Sequence, residues 1–191
     1  MKRIIVAITG ASGSIYGMRL IEELTKRDFK VHVVLTKTAE KVMEFETGRK
    51  IQEFILALEK ANVRLNHVEN LFADIASGSY KTEGMIVAPC SMGTLSRIAN
   101  GVSSNLLERA AEVCLKESRT LVLMPRETPL SAISLENMLK LSRVGVRIMP
   151  ASPGFYHKPK SVDDLVDFMV GRALDSFGIE NDLCEKWGGI K

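Results

Sequence analysis

Short β-branched and apolar runs alternate along the chain with longer amphipathic stretches, and this alternation predicts strands near 3–8, 30–36, 62–68, 84–89, 120–125 and 146–150. Six β–α repeats result. Runs such as Met85-Ile86-Val87-Ala88 and Leu121-Val122-Leu123-Met124 are apolar at every position, which is the pattern of strands buried on both faces of a parallel sheet. The predicted fold class is α/β: a doubly wound, Rossmann-like three-layer sandwich with a six-stranded parallel sheet in the order 3-2-1-4-5-6. One domain over residues 1–191 accommodates it, with a helical tail from about residue 178. Right-handed crossovers bring the C-terminal ends of all strands to one edge, and ligands bind there where the winding reverses.

The residues just after each strand are therefore the first place to look for chemistry. Behind Ile4-Ile5-Val6-Ala7-Ile8 the sequence reads T-G-A-S-G-S-I-Y-G, Thr9 to Gly17. Glycine lets backbone approach an anion, and a helix starting near Ser14 would aim unpaired N–H groups at it, as a phosphate site requires. A tight strand–helix turn that needs glycine only for its geometry is the competing reading. Gly10, Gly13 and Gly17 do not form G-x-G-x-x-G, and the Lys-Ser/Thr ending of a nucleoside-triphosphate loop is absent. The second strand runs into Thr36-Lys37 rather than a ribose-gripping acid, which disfavours an adenine dinucleotide and leaves a mononucleotide such as FMN. After the fourth strand comes Pro89-Cys90-Ser91-Met92-Gly93-Thr94, leading into a helix at about Leu95. Helix capping explains one hydroxyl of that cluster but not the whole of it. The fifth strand is followed by Pro125-Arg126-Glu127-Thr128-Pro129, and the sixth by a segment ending in Phe155-Tyr156.

Composition narrows the class. Of 191 residues, 46% are hydrophobic and 26% charged, ordinary for a soluble globular protein, and no apolar run is long enough to span a membrane. Met1-Lys2-Arg3 resembles the start of a signal peptide, but glycine and serine break the apolar stretch behind it, so a buried strand and a cytoplasmic protein are expected. Cys90, Cys114 and Cys184 are odd in number without C-x-x-C spacing, which predicts reduced thiols rather than disulfides or zinc. A net charge of +3, without basic runs, gives no reason to expect nucleic acid as a partner.

Three further features admit bland readings. A helix from about Asn105 to Glu117 would set Arg109 and Lys116 two turns apart on one face, able to meet one anion, although the spacing alone fits a solvated face with paired charges better. Asp163-Asp164-Leu165-Val166-Asp167 matches the magnesium–diphosphate pattern D-D-x-x-D, but it stands behind Ser161 in a helix's first turn, where capping accounts for it, and no metal is expected. His32, His67 and His157 share no ligand spacing, and Trp187 lies in a tail with Ile179, Leu183 and Ile190 that reads as a docking segment.

The segments T-G-A-S-G-S-I-Y-G, G-M-I-V-A-P-C-S-M-G-T-L-S, N-L-L-E-R-A-A-E-V-C-L-K-E, L-V-L-M-P-R-E-T-P, L-E-N-M-L-K-L and P-G-F-Y-H-K-P together resemble the UbiX-like flavin prenyltransferases, in older naming aromatic acid decarboxylases. The resemblance covers essentially the whole chain. It implies attachment of the dimethylallyl group of dimethylallyl monophosphate to N5 and C6 of reduced FMN, without metal. The product, prenylated FMN, would serve a UbiD-like decarboxylase, as in ubiquinone biosynthesis and aromatic acid decarboxylation. By the same resemblance Gly10, Ala11, Ser12, Thr36, Ser91, Met92, Gly93, Thr94 and Arg126 would contact FMN, and Tyr156 and Arg172 the substrate phosphate. Arg109 and Lys116 would complete the anion site beside Glu46, Glu127 would move protons at the leaving phosphate, and Trp187 would close over the allyl group. Ser104 and Arg172 depart from the residues common in relatives. Such chemistry needs cations and an acid for the leaving group and an aromatic wall for an allylic cation.

Two rivals differ in class. Flavin-dependent decarboxylases of peptidyl-cysteine type resemble P-A-S-A-N-T and P-x-M-N-x-x-M-W where this chain has Pro89-Cys90-Ser91-Met92-Gly93-Thr94 and Leu135-Glu136-Asn137-Met138. A non-enzymatic FMN carrier would leave Arg109, Lys116, Glu127 and Arg172 without purpose. The resemblance further implies a homo-oligomer, a dodecamer with sites at subunit junctions.

Overall fold

A computed structural model gives the architecture and describes residues 1–58, 62–185 and 187–188. Ile190 lies outside the described residues. The strands are β1 Arg3–Ile8, β2 Lys30–Leu35, β3 Val63–Asn66, β4 Gly84–Cys90, β5 Thr120–Pro125 and β6 Arg147–Ile148, within a residue or two of the hydrophobic runs. They pair in parallel in the order β3-β2-β1-β4-β5-β6. β6 ends earlier than its apolar run because Pro150 has no N–H to continue the ladder, though Met149 and Ala151 still donate to Leu123 and Pro125 of β5.

The helices are α1 Ser14–Lys26, α2 Lys37–Thr47, α3 Ile51–Ala57, α4 Met92–Ala99, α5 Leu106–Lys116, α6 Ala132–Arg143 and α7 Val162–Asp175. Alternate strand residues face opposite cores. Ile4, Val6 and Ile8 pack with α1, α2, α3 and α7, whereas Ile5 and Ala7 pack with α4, α5 and α6. The winding therefore reverses between β1 and β4. α1 lies so close to these strands that a Cβ on Gly17 would sit 2.6 Å from Ile8 Cγ1 and closer still to the Ala88 carbonyl. Glycine is required there by contact rather than by backbone angle.

Five of the helices are capped by side chains at their starts. Thr36, Ser91, Asn105, Ser131 and Ser161 each accept a backbone N–H at a helix start. Asp164 returns its carboxylate to the Ser161 N–H in a capping box, so one aspartate of D-D-x-x-D is a cap. Asp167 accepts from Arg19 Nε at 2.7 Å, tying α7 to α1. Among the described residues no group of three His, Cys, Asp or Glu could hold a metal ion, and no helix is long and apolar enough to cross a membrane. The expected helical tail does not form among the described residues: α7 ends at Asp175, Gly178 takes φ 64°, and the segment beyond carries no helix. A left-handed glycine there stops helix propagation.

His32 on β2 is fully buried and bonded through Nε2 to the Tyr80 hydroxyl at 2.9 Å. Burial, then the charges of Lys30, Arg64 and Arg3 against the opposing Asp74, lower its pKa to about 4. Between pH 6.5 and 4 only the unfolded chain takes up this proton, so stability falls as pH falls, and above pH 6.5 the effect disappears. The expected loss from pH 7 to pH 5 is about 2 kcal/mol. Urea unfolding at both pH values checks it, with His32→Gln expected to flatten the decline.

Candidate active site

The loops after β1, β2, β4, β5 and β6 converge on one sheet edge, as parallel topology demands. Thr9, 1% exposed, ties two of them together. Its hydroxyl donates to the Pro89 carbonyl at 2.8 Å and accepts the Ser91 N–H at 2.7 Å. The β5 loop joins through Arg126 N–H to the Cys90 carbonyl at 3.4 Å. Gly10 faces the first turn of α2 so closely that a Cβ would meet Thr38 Cγ2 at 2.6 Å. The role of Thr9 escapes sequence reasoning, because a buried bridging hydroxyl has no local signature.

Gly10, Ala11 and Ser12 thus stand beside Thr36 and opposite Ser91, Met92, Gly93 and Thr94. α4 starts at Met92, three residues before the position expected, so Gly93 and Thr94 lie inside its first turn. The Ser91 hydroxyl accepts Thr94 N–H at 3.4 Å and donates to Thr94 Oγ1 at 3.1 Å. Arg126 is half-buried in the β5 loop, and its Nε is fully buried with no acceptor among the described residues. A buried, unpartnered guanidinium N–H beside a glycine cradle fits an anionic or carbonyl-rich ligand such as FMN.

The α1 terminus differs from the expectation drawn from T-G-A-S-G-S. Gly13, at φ 105°, has no side chain to cap the helix, and Glu46 of α2 takes its amides instead. Gly13 and Ser14 N–H groups donate to the Glu46 carboxylate at 3.1 Å, and the Ser14 hydroxyl at 2.6 Å. Burial pushes the Glu46 pKa up, but hydrogen bonds from Ser12, Ser14 and Gly13 outweigh it and hold the group below the usual carboxylate range. The terminus binds an anion, and that anion belongs to the chain. Thirty-two residues separate Ser14 from Glu46, so no local pattern reports the pairing.

A second pocket lies where α7 meets the tail, a cavity of about 390 Å³ lined by Tyr156, Phe168, Arg172 and Trp187 among others. Tyr156 makes edge-on contacts with Phe168 at 5.7 Å and Trp187 at 5.5 Å between centroids. His157 stacks on Phe168 at 5.2 Å. Arg172 is held by Asp175 at 3.3 Å. Glu127 is exposed, its Oε1 accepting the Thr128 N–H at 2.9 Å.

Arg109 and Lys116 are not brought to this edge within one chain. They belong to α5, on the sheet face opposite Glu46 and α1. Arg109 donates to the Ala76 carbonyl at 3.1 Å and to Glu112 at 2.8 Å, and Lys116 pairs with Glu117 at 3.5 Å. Ser104 serves a buried network: its N–H and hydroxyl donate to Glu108 at 2.9 and 2.6 Å, and Arg97 completes the carboxylate's partners. Cys90 and Cys114 are free, and burial pushes both thiols up to about 12.

The chain matches the family described as Flavoprotein over residues 1–174. It is 52% identical to a flavin prenyltransferase UbiX of Halalkalibacterium halodurans over 189 residues, 96% of this chain and 92% of that one. This chain belongs to the UbiX-like flavin prenyltransferases. Its relative from Pseudomonas aeruginosa is 47% identical, over 98% of this chain and 94% of that protein. Among solved structures, AnUbiX in complex with FMN and dimethylallyl pyrophosphate superposes with TM-score 0.94 at 41% identity, covering 100% and 99% of the two chains. A dodecameric FMN-dependent UbiX-like decarboxylase from Escherichia coli gives 0.92 at 45% identity, covering 98% and 100%. A PPC decarboxylase, at TM-score 0.63 and 19% identity over 80% and 83%, shares the fold alone. The fold and strand order of this UbiX-like chain are those its sequence predicted.

Thr9→Val keeps the shape but leaves the Ser91 N–H without its acceptor. A loss of about 1–3 kcal/mol in unfolding free energy is expected, together with weaker flavin retention. Chemical denaturation and flavin absorbance after gel filtration measure the two effects.

Proposed function

We propose that this chain is a flavin prenyltransferase that joins the dimethylallyl group of dimethylallyl monophosphate to reduced FMN. The observation that carries the reading is the pairing of two differently built half-sites: a glycine and hydroxyl cradle with the unpartnered Arg126 Nε, and an aromatic cavity that holds Arg172. The first suits a flavin mononucleotide, and the second suits a small apolar group ending in phosphate. Gly10, Ala11, Ser12, Thr36, Ser91, Met92, Gly93, Thr94 and Arg126 are the residues to hold FMN, which supplies the reduced ring that is alkylated.

The chain's own groups do the rest. Arg172 and Tyr156 bind the substrate phosphate, and Arg109 and Lys116 neutralise the charge that grows on it as the allylic bond breaks. Glu127 gives the departing phosphate a proton, Glu46 keeps Ser12 and the glycine loop in place, and Trp187 offers its π face to the allylic cation. Side-chain cations take the part a metal has in other prenyl transfers. The product serves a UbiD-like decarboxylase in the cytoplasm.

Because α5 lies across the sheet from Glu46, Arg109 and Lys116 act in the site of a neighbouring copy. Phe45 and Phe72, 92% and 100% exposed on one chain, support burial in a homo-oligomer, which we take to be a dodecamer.

Reduced FMN with dimethylallyl monophosphate is expected to give a flavin heavier by one five-carbon unit, in EDTA as in magnesium, by mass spectrometry. Arg126→Ala should lose FMN, whereas Glu127→Gln should keep it and slow single-turnover transfer on the order of 10²-fold. Wild-type turnover by Glu127→Gln would remove its proton-transfer role. Co-assembly of inactive Glu46→Gln and Arg109→Ala chains is expected to restore about a quarter of wild-type activity by random pairing across a shared site. No recovery would confine both residues to one chain.

A further inference from the structure

Beyond α7 the chain doubles back and lies along the helix it has just left. Asn181 makes the crossing. Its amide donates to the Gly171 carbonyl at 3.3 Å, the Ile179 carbonyl at 3.2 Å and Asp175 Oδ1 at 3.1 Å. Gly171 makes room for it, because a Cβ there would stand 2.8 Å from Asn181 Oδ1. Ile179 and Leu183 pack half-buried on the core on either side of this crossing. Six residues beyond Asn181, Trp187 reaches Tyr156.

The other oxygen of Asp175 accepts from Arg172 Nη1 at 3.3 Å. One carboxylate thus joins the arginine of the aromatic cavity to the residue that fastens the tail. We propose that Asn181, seated in the notch at Gly171 and linked through Asp175 to Arg172, is a positioning residue that sets Trp187 over the allyl-phosphate cavity and ties the tail to the occupancy of that cavity. When an anion engages Arg172, the guanidinium's claim on Asp175 weakens, and the carboxylate becomes a stronger charge-assisted acceptor for the Asn181 amide. Substrate binding then tightens the tail that carries Trp187. A purely structural Asn181, finishing the last turn of α7, would neither place Trp187 nor respond to ligand.

The inference rests on the reading of this cavity as the dimethylallyl phosphate site, and its test separates the two. Trp187 is the sole tryptophan, so acrylamide quenching of its emission reads the tail directly in the full-length, FMN-loaded protein. Asn181→Asp keeps the size but removes the donors and sets a second carboxylate against Asp175. Gly171→Ala fills the notch while raising helix propensity, so a melting temperature at or above wild type is expected for it.

Both variants are expected to show stronger quenching than wild type and a KM for dimethylallyl monophosphate raised about tenfold, with a smaller change in kcat and FMN retained. In wild type, dimethylallyl monophosphate or inorganic phosphate should reduce quenching, and in Asn181→Asp it should not. Wild-type quenching and KM in both variants, or quenching insensitive to either ligand in wild type, would overturn the proposal. If wild type formed no prenylated flavin, the prenyl-transfer reading would fail, and quenching by acrylamide with inorganic phosphate would still decide the role of Asn181.

Discussion

The site depends on how closely the ends of β1 and β4 are held together. Parallel strands that feed helices to opposite faces diverge beyond their last residues, which is what opens a crevice at the reversal. Thr9 sets how far that crevice opens, by joining Pro89 and Ser91 of the second loop to the end of the first strand. Gly17 sets how deeply α1 sits against the same two strands. Loosen either, and the Gly10 loop, the Ser91 cap and the Arg126 loop no longer share a geometry.

Charge is distributed so that cations have partners of graded strength. Glu23, almost wholly buried, takes Arg19, Lys26 and Arg27 and is fully committed to holding α1. Glu108 does the same for Arg97 and the 101–105 loop. Among the described residues Arg109, Lys116 and Arg172 each have a single carboxylate partner at or near the surface, bonds that are weakly held and easily exchanged. Arg126 Nε has none.

The strands were legible because apolar runs of five or six residues report burial on both faces directly, their order is that of the doubly wound class, and the strand ends then singled out Gly10, Ser91, Arg126 and Tyr156 as candidates. What was not legible depends on distance along the chain. Asn181 reads as an ordinary loop residue until Gly171 is beside it, and Thr9 as a turn hydroxyl until Ser91 is. Arg109 and Lys116 show a different limit: their spacing is the same whether the face is solvated or meets another subunit, and only the family resemblance favours the second reading. A helical tail was expected from about residue 178, and Gly178 with the side-chain bonds of Asn181 made another path cheaper.

The carboxylate on the α1 terminus has a consequence for selectivity among anions. Tethered to α2, Glu46 competes for the Gly13 and Ser14 amides at an effective concentration on the order of millimolar or above, whatever the medium contains. Free phosphate, which prenyl transfer itself releases at every turnover, meets a loop already neutralised. The terminus is thereby closed to inhibition by that released product.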